Sequence, residues 1–174
     1  MNVAIIGTNG FLSSAIAKFA IDKGWCVDIY GLEEPNHAYT NFYYLDLINE
    51  EINDSFFLGK DLVIYAAGAG IQSNLNEKAD IIYELNTFVP IKICKYLQTH
   101  NFEGRFITFG SYFELGESKV HQPVTELDII NAMTPAPTDY VISKRLLTRF
   151  VTSNKHDFVH WHFILPTICG PGEN

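Results

Sequence analysis

At 174 residues, 47% hydrophobic and 14% aromatic, the chain is long enough to bury a real core and is expected to form one globular domain. With 20 acidic against 12 basic residues it carries a formal charge of -8 at pH 7, which excludes nucleic acid and anionic membrane as partners, because both select for clustered Lys and Arg. Any phosphate it holds must be gripped by backbone amides, a helix N-terminus or a few placed side chains.

The first element is Val3-Ala4-Ile5-Ile6, a continuous apolar run ending at Gly7, as in a strand buried on both faces of a parallel sheet. Phe11, Leu12, Ala15, Ile16, Phe19 and Ala20 then recur at helical spacing, with Gly24 just past the end, where helices terminate. Residues 26–30 read as a second strand, 42–45 as a short third, 48–57 as a helix-like stretch and 62–67 as a fourth strand. A long helix follows, with a buried stripe of Ile82, Leu85, Val89, Ile93 and Leu97. Pro90 interrupts it, and because the stripe keeps its period on both sides a local kink is expected, not a break. Residues 105–109 make a fifth strand, 140–151 an amphipathic helix and 160–165 a sixth strand. Strands and helices alternating in this way imply right-handed crossovers and a doubly wound parallel α/β sheet with helices on both faces. The one long irregular stretch, 111–139, carries Pro123, Pro135 and Pro137 and is too long for an idle connection, so it is expected to shape a site.

Cys26, Cys94 and Cys169 are odd in number, widely spaced and without a CxxC pair or nearby histidine ligands. Neither a disulfide framework nor a zinc site is expected, and no metal is assigned. Each reads as a small apolar side chain, which fits a reducing cytoplasm. The apolar start lacks a basic leader and breaks at once into Gly7-Thr8-Asn9-Gly10, unlike a secretory signal, and no apolar run approaches the length of a membrane span.

Gly7-Thr8-Asn9-Gly10-Phe11-Leu12-Ser13 lies between the first strand and the first helix. Glycine there permits a tight turn, lets backbone amides approach a pyrophosphate and aims a helix N-terminus at its charge. The spacing departs from GxGxxG, and a purely structural turn would use the same residues; the position at a strand-to-helix junction favours the ligand reading. The segment resembles the GxxGF(I/L)G opening of the extended short-chain dehydrogenases/reductases, the NAD-dependent epimerase/dehydratase group that modifies nucleotide sugars, with Ser13 in place of the third glycine. The resemblance implies a Rossmann-type domain over residues 1–174 that binds NAD or NADP, with Gly7, Asn9, Gly10, Phe11 and Leu12 at the cofactor. It also implies Asp46 and Leu47 at the adenine and Ala66, Ala67 and Gly68 beside the cofactor, although a helix cap for Asp46 and close packing of the small residues account for them equally. Relatives that prefer NAD carry an Asp at the tip of the second strand. Gly31 stands there, followed by Glu33 and Glu34 with no arginine nearby, which leaves the choice between NAD and NADP open.

In Tyr140-Val141-Ile142-Ser143-Lys144, residues four apart share a helix face, so Tyr140 and Lys144 project together while Ile142, Leu146, Leu147 and Phe150 can face the core. Bringing a phenol from its usual pKa to neutrality takes roughly 4 kcal/mol of preferential phenolate stabilisation, which a nearby ammonium, helped by an oxidised nicotinamide, can supply. YxxxK alone is common, and a surface tyrosine beside a solvated lysine produces it too. Here it follows the glycine turn, and Ser111 stands five residues before Gly116, in the order of motifs that the family shows. The resemblance implies that Tyr140 exchanges a proton with a sugar hydroxyl or ketone, that Lys144 tunes Tyr140 and binds the nicotinamide ribose, and that Ser111 hydrogen-bonds the reacting oxygen. It further implies that Asn86 belongs to the cofactor site in a supporting role, and that Pro166, Thr167 and Ile168, opening a stretch that runs to Gly172, lie beside the nicotinamide.

Dehydratases of the family carry an Asp-Glu pair directly after the catalytic hydroxyl residue. Tyr112 and Phe113 stand in those places, and Glu114 comes one place late and, if buried, would merely pair with a neighbouring amide. The expected reaction is therefore epimerisation through a transient ketone or reduction of a 4-keto sugar. A nucleotide sugar is the implied substrate, and a homodimer through the long helix and the Tyr140 helix the implied assembly. Relatives continue well beyond Gly170-Pro171-Gly172-Glu173 into a part that builds the sugar pocket, so a chain ending at Asn174 is expected to lack it, to bind dinucleotide and to turn over little. Readings from another class are a catalytically silent cofactor sensor and an inactive fragment. Sensors commonly lose the tyrosine or the lysine, and both are present here.

Overall fold

The computed structural model describes residues 1–50, 56–71, 76–117 and 123–170. Strands β1 (Asn2–Ile6), β2 (Cys26–Gly31), β3 (Asn41–Tyr44), β4 (Leu62–Tyr65), β5 (Arg105–Ser111) and β6 (Val159–Leu165) form one sheet in the order β3-β2-β1-β4-β5-β6, every neighbouring pair parallel. Alternate residues of β1 serve opposite faces. Val3 and Ile5 pack with Val27, Ile29, Leu62 and Ile64 beneath α1 (Phe11–Asp22), whereas Ala4 and Ile6 pack with Val63, Tyr65 and Phe106 beneath α3 (Val89–Thr99). Burial on both faces is the reason the central strands are uninterrupted apolar runs. From β1 the chain winds outward to β3, then returns to the other side of β1 and winds outward again to β6. Connections therefore leave β1 and β4 in opposite directions, which opens a crevice at the strands' carboxyl ends.

All six expected strands are present, with shifted ends. β4 stops at Tyr65, so Ala66 and Ala67 lie beyond it, while β5 runs on to Ser111 because its register with β6 persists through Gly110 against Ile164 and Ser111 against Leu165. The core face of α1 differs from the expected one: Ser13, Ala17 and Ala20 are buried, while Phe19 is 55% exposed. Small side chains let this helix approach the sheet closely, and Phe19 instead meets Trp25 edge-on at the surface. On α5 (Asp139–Ser153), Val141, Ser143, Leu147 and Thr148 point inward, so Ile142 and Leu146, expected in the core, are exposed. Of the helix-like stretch 48–57, residues 51–55 lie outside the described residues and the flanking part is turn. The irregular stretch 111–139 contains a 3-10 turn (Tyr112–Leu115) and the short α4 (Glu126–Ile130); residues 118–122 of it are outside the described set.

The expected kink at Pro90 takes a specific form. Between α2 (Ala79–Tyr83) and α3 lies one π-helical turn, Glu84–Phe88. Proline cannot donate an amide and its ring crowds the carbonyl four residues back; widening the preceding turn, with the Val89 amide reaching the Glu84 carbonyl, accommodates both. The same turn carries Asn86 and Thr87 inward, at 0% and 2% exposure. Asn86 Oδ1 accepts from the Ala69 amide at 3.0 Å, and its Nδ2 donates to the Ala69 carbonyl at 2.8 Å and to Ser143 Oγ at 3.0 Å. Thr87 Oγ1 donates to the Ser143 carbonyl at 2.8 Å. The segment after β4, the bent helix and α5 are thereby joined through one buried amide. Asn86→Ala strips partners from the Ala69 amide and carbonyl and is expected to lower unfolding free energy by about 2–4 kcal/mol. A urea midpoint unchanged at constant m-value would show that the clamp does not stabilise the fold.

Candidate active site

The carboxyl ends of the strands are lined by two cavities. One, of about 370 Å³, is bounded by Gly7, Thr8, Asn9 and Gly10 of the glycine turn, by Gly31 and Glu33 after β2, and by Asp46 and Leu47 after β3. The other, of about 440 Å³, is bounded by Leu12, Asn86, Ser111, Tyr112, Phe113, Tyr140 and Lys144, and by Pro166, Thr167 and Ile168 after β6. Ala66, Ala67 and Gly68 line both, so the segment leaving β4 is the shared floor of a two-lobed cleft.

Gly7 has φ +111°, and a Cβ there would lie 2.9 Å from the Ala67 nitrogen and 3.0 Å from the Ala66 carbonyl carbon. Only glycine takes that backbone conformation against that neighbour without strain. Gly10 caps α1 without a side-chain hydrogen bond, which leaves the first amides of the helix available to an anion. Ser13 is buried, and its hydroxyl lies 2.9 Å from both the Thr8 and the Gly10 carbonyls, so serine at the third-glycine position is held by hydrogen bonding inside the turn. The Asn9 side chain receives the Asn36 amide at 3.0 Å and ties the turn to the loop after β2. Both carboxylate oxygens of Asp46 are engaged locally, Oδ1 by the Ile48 and Asn49 amides at 2.9 and 3.0 Å and Oδ2 by the Asn49 side chain at 2.9 Å. These bonds hold its pKa below the usual carboxylate range, the Asn49 side chain most strongly. The residue thus caps the following turn while also lining the cleft. A two-lobed cleft with a glycine-flanked turn, an uncapped helix start and a floor of small residues fits the shape and charge of a dinucleotide.

In the second lobe, Tyr140 and Lys144 stand one helical turn apart near the start of α5, whose N-terminus is capped by Thr138. The Lys144 Nζ donates to the Phe109 carbonyl at 3.1 Å and lies 5.9 Å from the centre of the Tyr140 ring. Burial pulls the Lys144 pKa down from 10.5 to about 8, against the opposing pull of the Glu114 carboxylate. The Tyr140 phenol is pushed up: burial raises it, a hydrogen bond with Ser111 lowers it, and the Glu114 carboxylate raises it again. With the ammonium directed at a backbone carbonyl, burial is the largest influence on the phenol. Glu114 is 1% exposed; its Oε1 accepts the Ser111 amide at 2.7 Å, which closes a capping box over the 3-10 turn. Burial raises its pKa, while Thr148, the Ser111 amide, Lys144 and Arg145 lower it. Arg145 secures the loop from behind, donating to the Glu114 carbonyl at 2.6 Å and to the Thr134 carbonyl at 2.7 Å.

The sequence profile of the NAD dependent epimerase/dehydratase family matches residues 3–174. The chain belongs to that family. Solved structures with the same fold include MoeE5 in complex with UDP-glucuronic acid and NAD (TM-score 0.82, 14% identity, 100% of this chain and 57% of that one). WbmH of Bordetella bronchiseptica in complex with NAD+ superposes with a TM-score of 0.73 at 20% identity, over 94% of this chain and 55% of that one. The ADP-L-glycero-D-manno-heptose-6-epimerase of Helicobacter pylori gives 0.72 at 16% identity, over 94% and 54%. The chain thus spans a little over half the length of each. No curated protein matches the sequence.

Of the site residues expected from this family, Phe11 is the one absent from the walls of both lobes; its ring tip lies 3.3 Å from where a Cβ on Gly170 would stand, against the segment after β6. Asn86 lines the second lobe, but its amide is engaged by Ala69 and Ser143. Pro171 and Gly172 lie outside the described residues. Sequence reading overlooked Thr8, Leu32 and Phe109 in the walls, each next to a strand end or glycine turn that marks the family's cleft. It also missed the role of Gly31: a Cβ there would stand 2.7 Å from Thr8 Cγ2, so Thr8 fills the space that a larger residue at the tip of β2 would occupy. A further correction concerns Cys94, assigned no histidine neighbour, which has His156 Nδ1 3.4 Å and His160 Nδ1 3.8 Å from its sulfur.

A buried ammonium whose pKa is depressed by folding costs stability while it is charged. That cost is fully present below about pH 8 and disappears as pH rises toward the ordinary lysine value of 10.5. Lys144→Met is therefore expected to be more stable than the wild type at pH 7 by roughly 1–3 kcal/mol. The gain should shrink between pH 8 and 10.5. Denaturant melts across that range test it; a variant less stable at pH 7 would show that the Phe109 hydrogen bond outweighs desolvation.

Proposed function

We propose that this chain is the cofactor-binding and catalytic part of an NAD-dependent enzyme that oxidises or reduces a sugar carbon of a nucleotide sugar, by 4-keto reduction or by epimerisation through a ketone. What carries the reading is the two-lobed cleft, with an anion-ready glycine turn in one lobe and Ser111, Tyr140 and Lys144 together in the wall of the other. Gly7, Asn9 and Gly10 would hold the pyrophosphate, Asp46 and Leu47 the adenine, Lys144 the nicotinamide ribose, and Pro166, Thr167 and Ile168 the nicotinamide. Phe11 and Asn86 serve as packing and support. Glu33 in the wall opposes a 2′-phosphate by charge, which favours NAD over NADP.

Bound NAD supplies the hydride acceptor or, reduced, the donor. Tyr140 gives or takes the proton of the sugar oxygen. Burial and the Glu114 carboxylate keep the phenol protonated, so in this state it is ready to act as the acid that ketone reduction requires. The Ser111 hydroxyl hydrogen-bonds the phenol and is positioned to hold the same oxygen as charge develops. Dehydration is disfavoured because Tyr112 and Phe113 present aromatic rings to the lobe and Glu114 faces away from it, tied to the Ser111 amide. The MoeE5 complexes with UDP-glucuronic acid and UDP-glucose support a nucleotide sugar as the substrate class.

Among the described residues no helix is long and apolar enough to cross a membrane, and the three cysteines are free thiols, which supports a place in the reducing cytoplasm. Phe88, Ile142 and Leu146 are exposed apolar residues on the bent helix and α5, which supports a homodimer through those helices. Leu146→Glu is then expected to halve the mass measured by light scattering; an unchanged mass argues for another interface or none.

NAD titration by calorimetry tests the main reading. Gly7→Ala should weaken binding by at least about tenfold and Tyr140→Phe by less than about threefold. Slow NADH oxidation with UDP-linked 4-keto sugars should fall by at least about a hundredfold in Tyr140→Phe. Absence of NAD binding by the wild type, or equal turnover by wild type and Tyr140→Phe, would remove the support for this function.

A further inference from the structure

On the side of the sheet that carries α3, away from the cleft, three donor atoms from distant parts of the chain meet. Cys94 is fully buried in the middle of α3, His156 lies in the turn after α5, and His160 is near the start of β6. The Cys94 sulfur is 3.4 Å from His156 Nδ1 and 3.8 Å from His160 Nδ1, and all three donors lie within 4.8 Å of one another. Tetrahedral zinc with thiolate and imidazole ligands separates its donors by roughly 3.3–3.7 Å, so the 3.4 Å spacing already suits it and the 3.8 Å one needs only a small closure. We propose that Cys94, His156 and His160 form a structural binding site for one zinc-class divalent cation, which pins α3 and the turn after α5 to the edge strand β6.

The surroundings favour this over a self-contained polar cluster. His160 Nε2 lies 2.9 Å from Thr108 Oγ1; Thr108 Oγ1 lies 2.8 Å from His162 Nδ1, and His162 Nε2 lies 2.8 Å from Thr148 Oγ1. Thr108 and Thr148 are buried, at 0% and 1% exposure. A hydroxyl between two imidazoles donates to one and accepts from the other. With His160 as donor to Thr108 and Thr108 as donor to His162, the lone pair of His160 is left at Nδ1, facing Cys94. Ligand histidines are commonly oriented in this way through their other ring nitrogen. His156 Nε2 is buried and finds no hydrogen-bond partner, while a backbone hydrogen bond with Val151 bears on the same ring. His156 also lines a cavity of about 400 Å³, so one of the three ligands borders open space. Binding breaks the Cys94 S–H bond and forms a sulfur–metal bond; the proton leaves to solvent, and no electron is transferred.

The test is Co2+ titration of the metal-stripped 174-residue chain. One equivalent should give a thiolate-to-cobalt charge-transfer band, release about one proton and be displaced by Zn2+. Zinc at roughly a hundred times its dissociation constant should raise the melting temperature by about 5–10 °C. Cys94→Ser should abolish the band, and His156→Ala should weaken Co2+ binding at least about tenfold. A wild type that shows no such band overturns the proposal, as does a band that survives Cys94→Ser, since the thiol would then be Cys26 or Cys169. If Cys94→Ser does not fold, His156→Ala decides: it changes a partly exposed turn residue, and unchanged Co2+ affinity overturns the site.

Discussion

The side-chain amide of Asn86 is the constraint through which the rest of the cleft is assembled. It sits without solvent contact between the segment that floors both lobes, through Ala69, and the helix that carries Tyr140 and Lys144, through Ser143. A buried amide with unmade hydrogen bonds would cost several kcal/mol, so the three elements have little freedom to slide past one another. The π-helical turn ahead of Pro90 aims Asn86 inward. A helix defect required by one proline is thus also what couples the floor of the cleft to its reactive wall.

Behind that wall the protein buries more titratable chemistry than its stability favours. Glu114 is buried and Lys144 and His162 are partly buried, and burial moves each toward its neutral form: the lysine down to about 8, the carboxyl upward, and the histidine down to about 3. Each carries its own compensation. Lys144 donates to the Phe109 carbonyl, Glu114 accepts the Ser111 amide, and His162 is bracketed by Thr108 and Thr148. Such a cluster is what a site gives up in stability to hold charged groups at fixed positions.

The match to solved relatives at 14–20% identity shows how little of the sequence the fold itself requires. Apolar β1 and β4, a glycine where φ is +111°, and small residues where α1 meets the sheet belong to its frame. Side chains can change around that frame provided local space is respected. Thr8 and Gly31 illustrate this, because the threonine occupies the volume that a side chain on Gly31 would need.

The six strands, their parallel sense, the glycine turn and the YxxxK helix were legible in the sequence, because each depends on periodicity, on strand–helix alternation or on a backbone conformation only glycine tolerates. Strand ends were less legible: β5 reaches Ser111 only because β6 lies beside it. The inward faces of α1 and α5 were misjudged for a related reason. Hydrophobicity marks which residues could be buried, whereas the distance and angle to the sheet decide which are, and close approach selected Ser13, Ala17 and Ser143 over Phe19, Ile142 and Leu146. Tertiary structure alone decided that Lys144 points at a carbonyl, that Glu114 turns inward, and that Cys94 meets His156 and His160 across 62 and 66 residues of chain. Those outcomes depend on which distant groups share a low-dielectric pocket, a property that no local stretch of sequence carries.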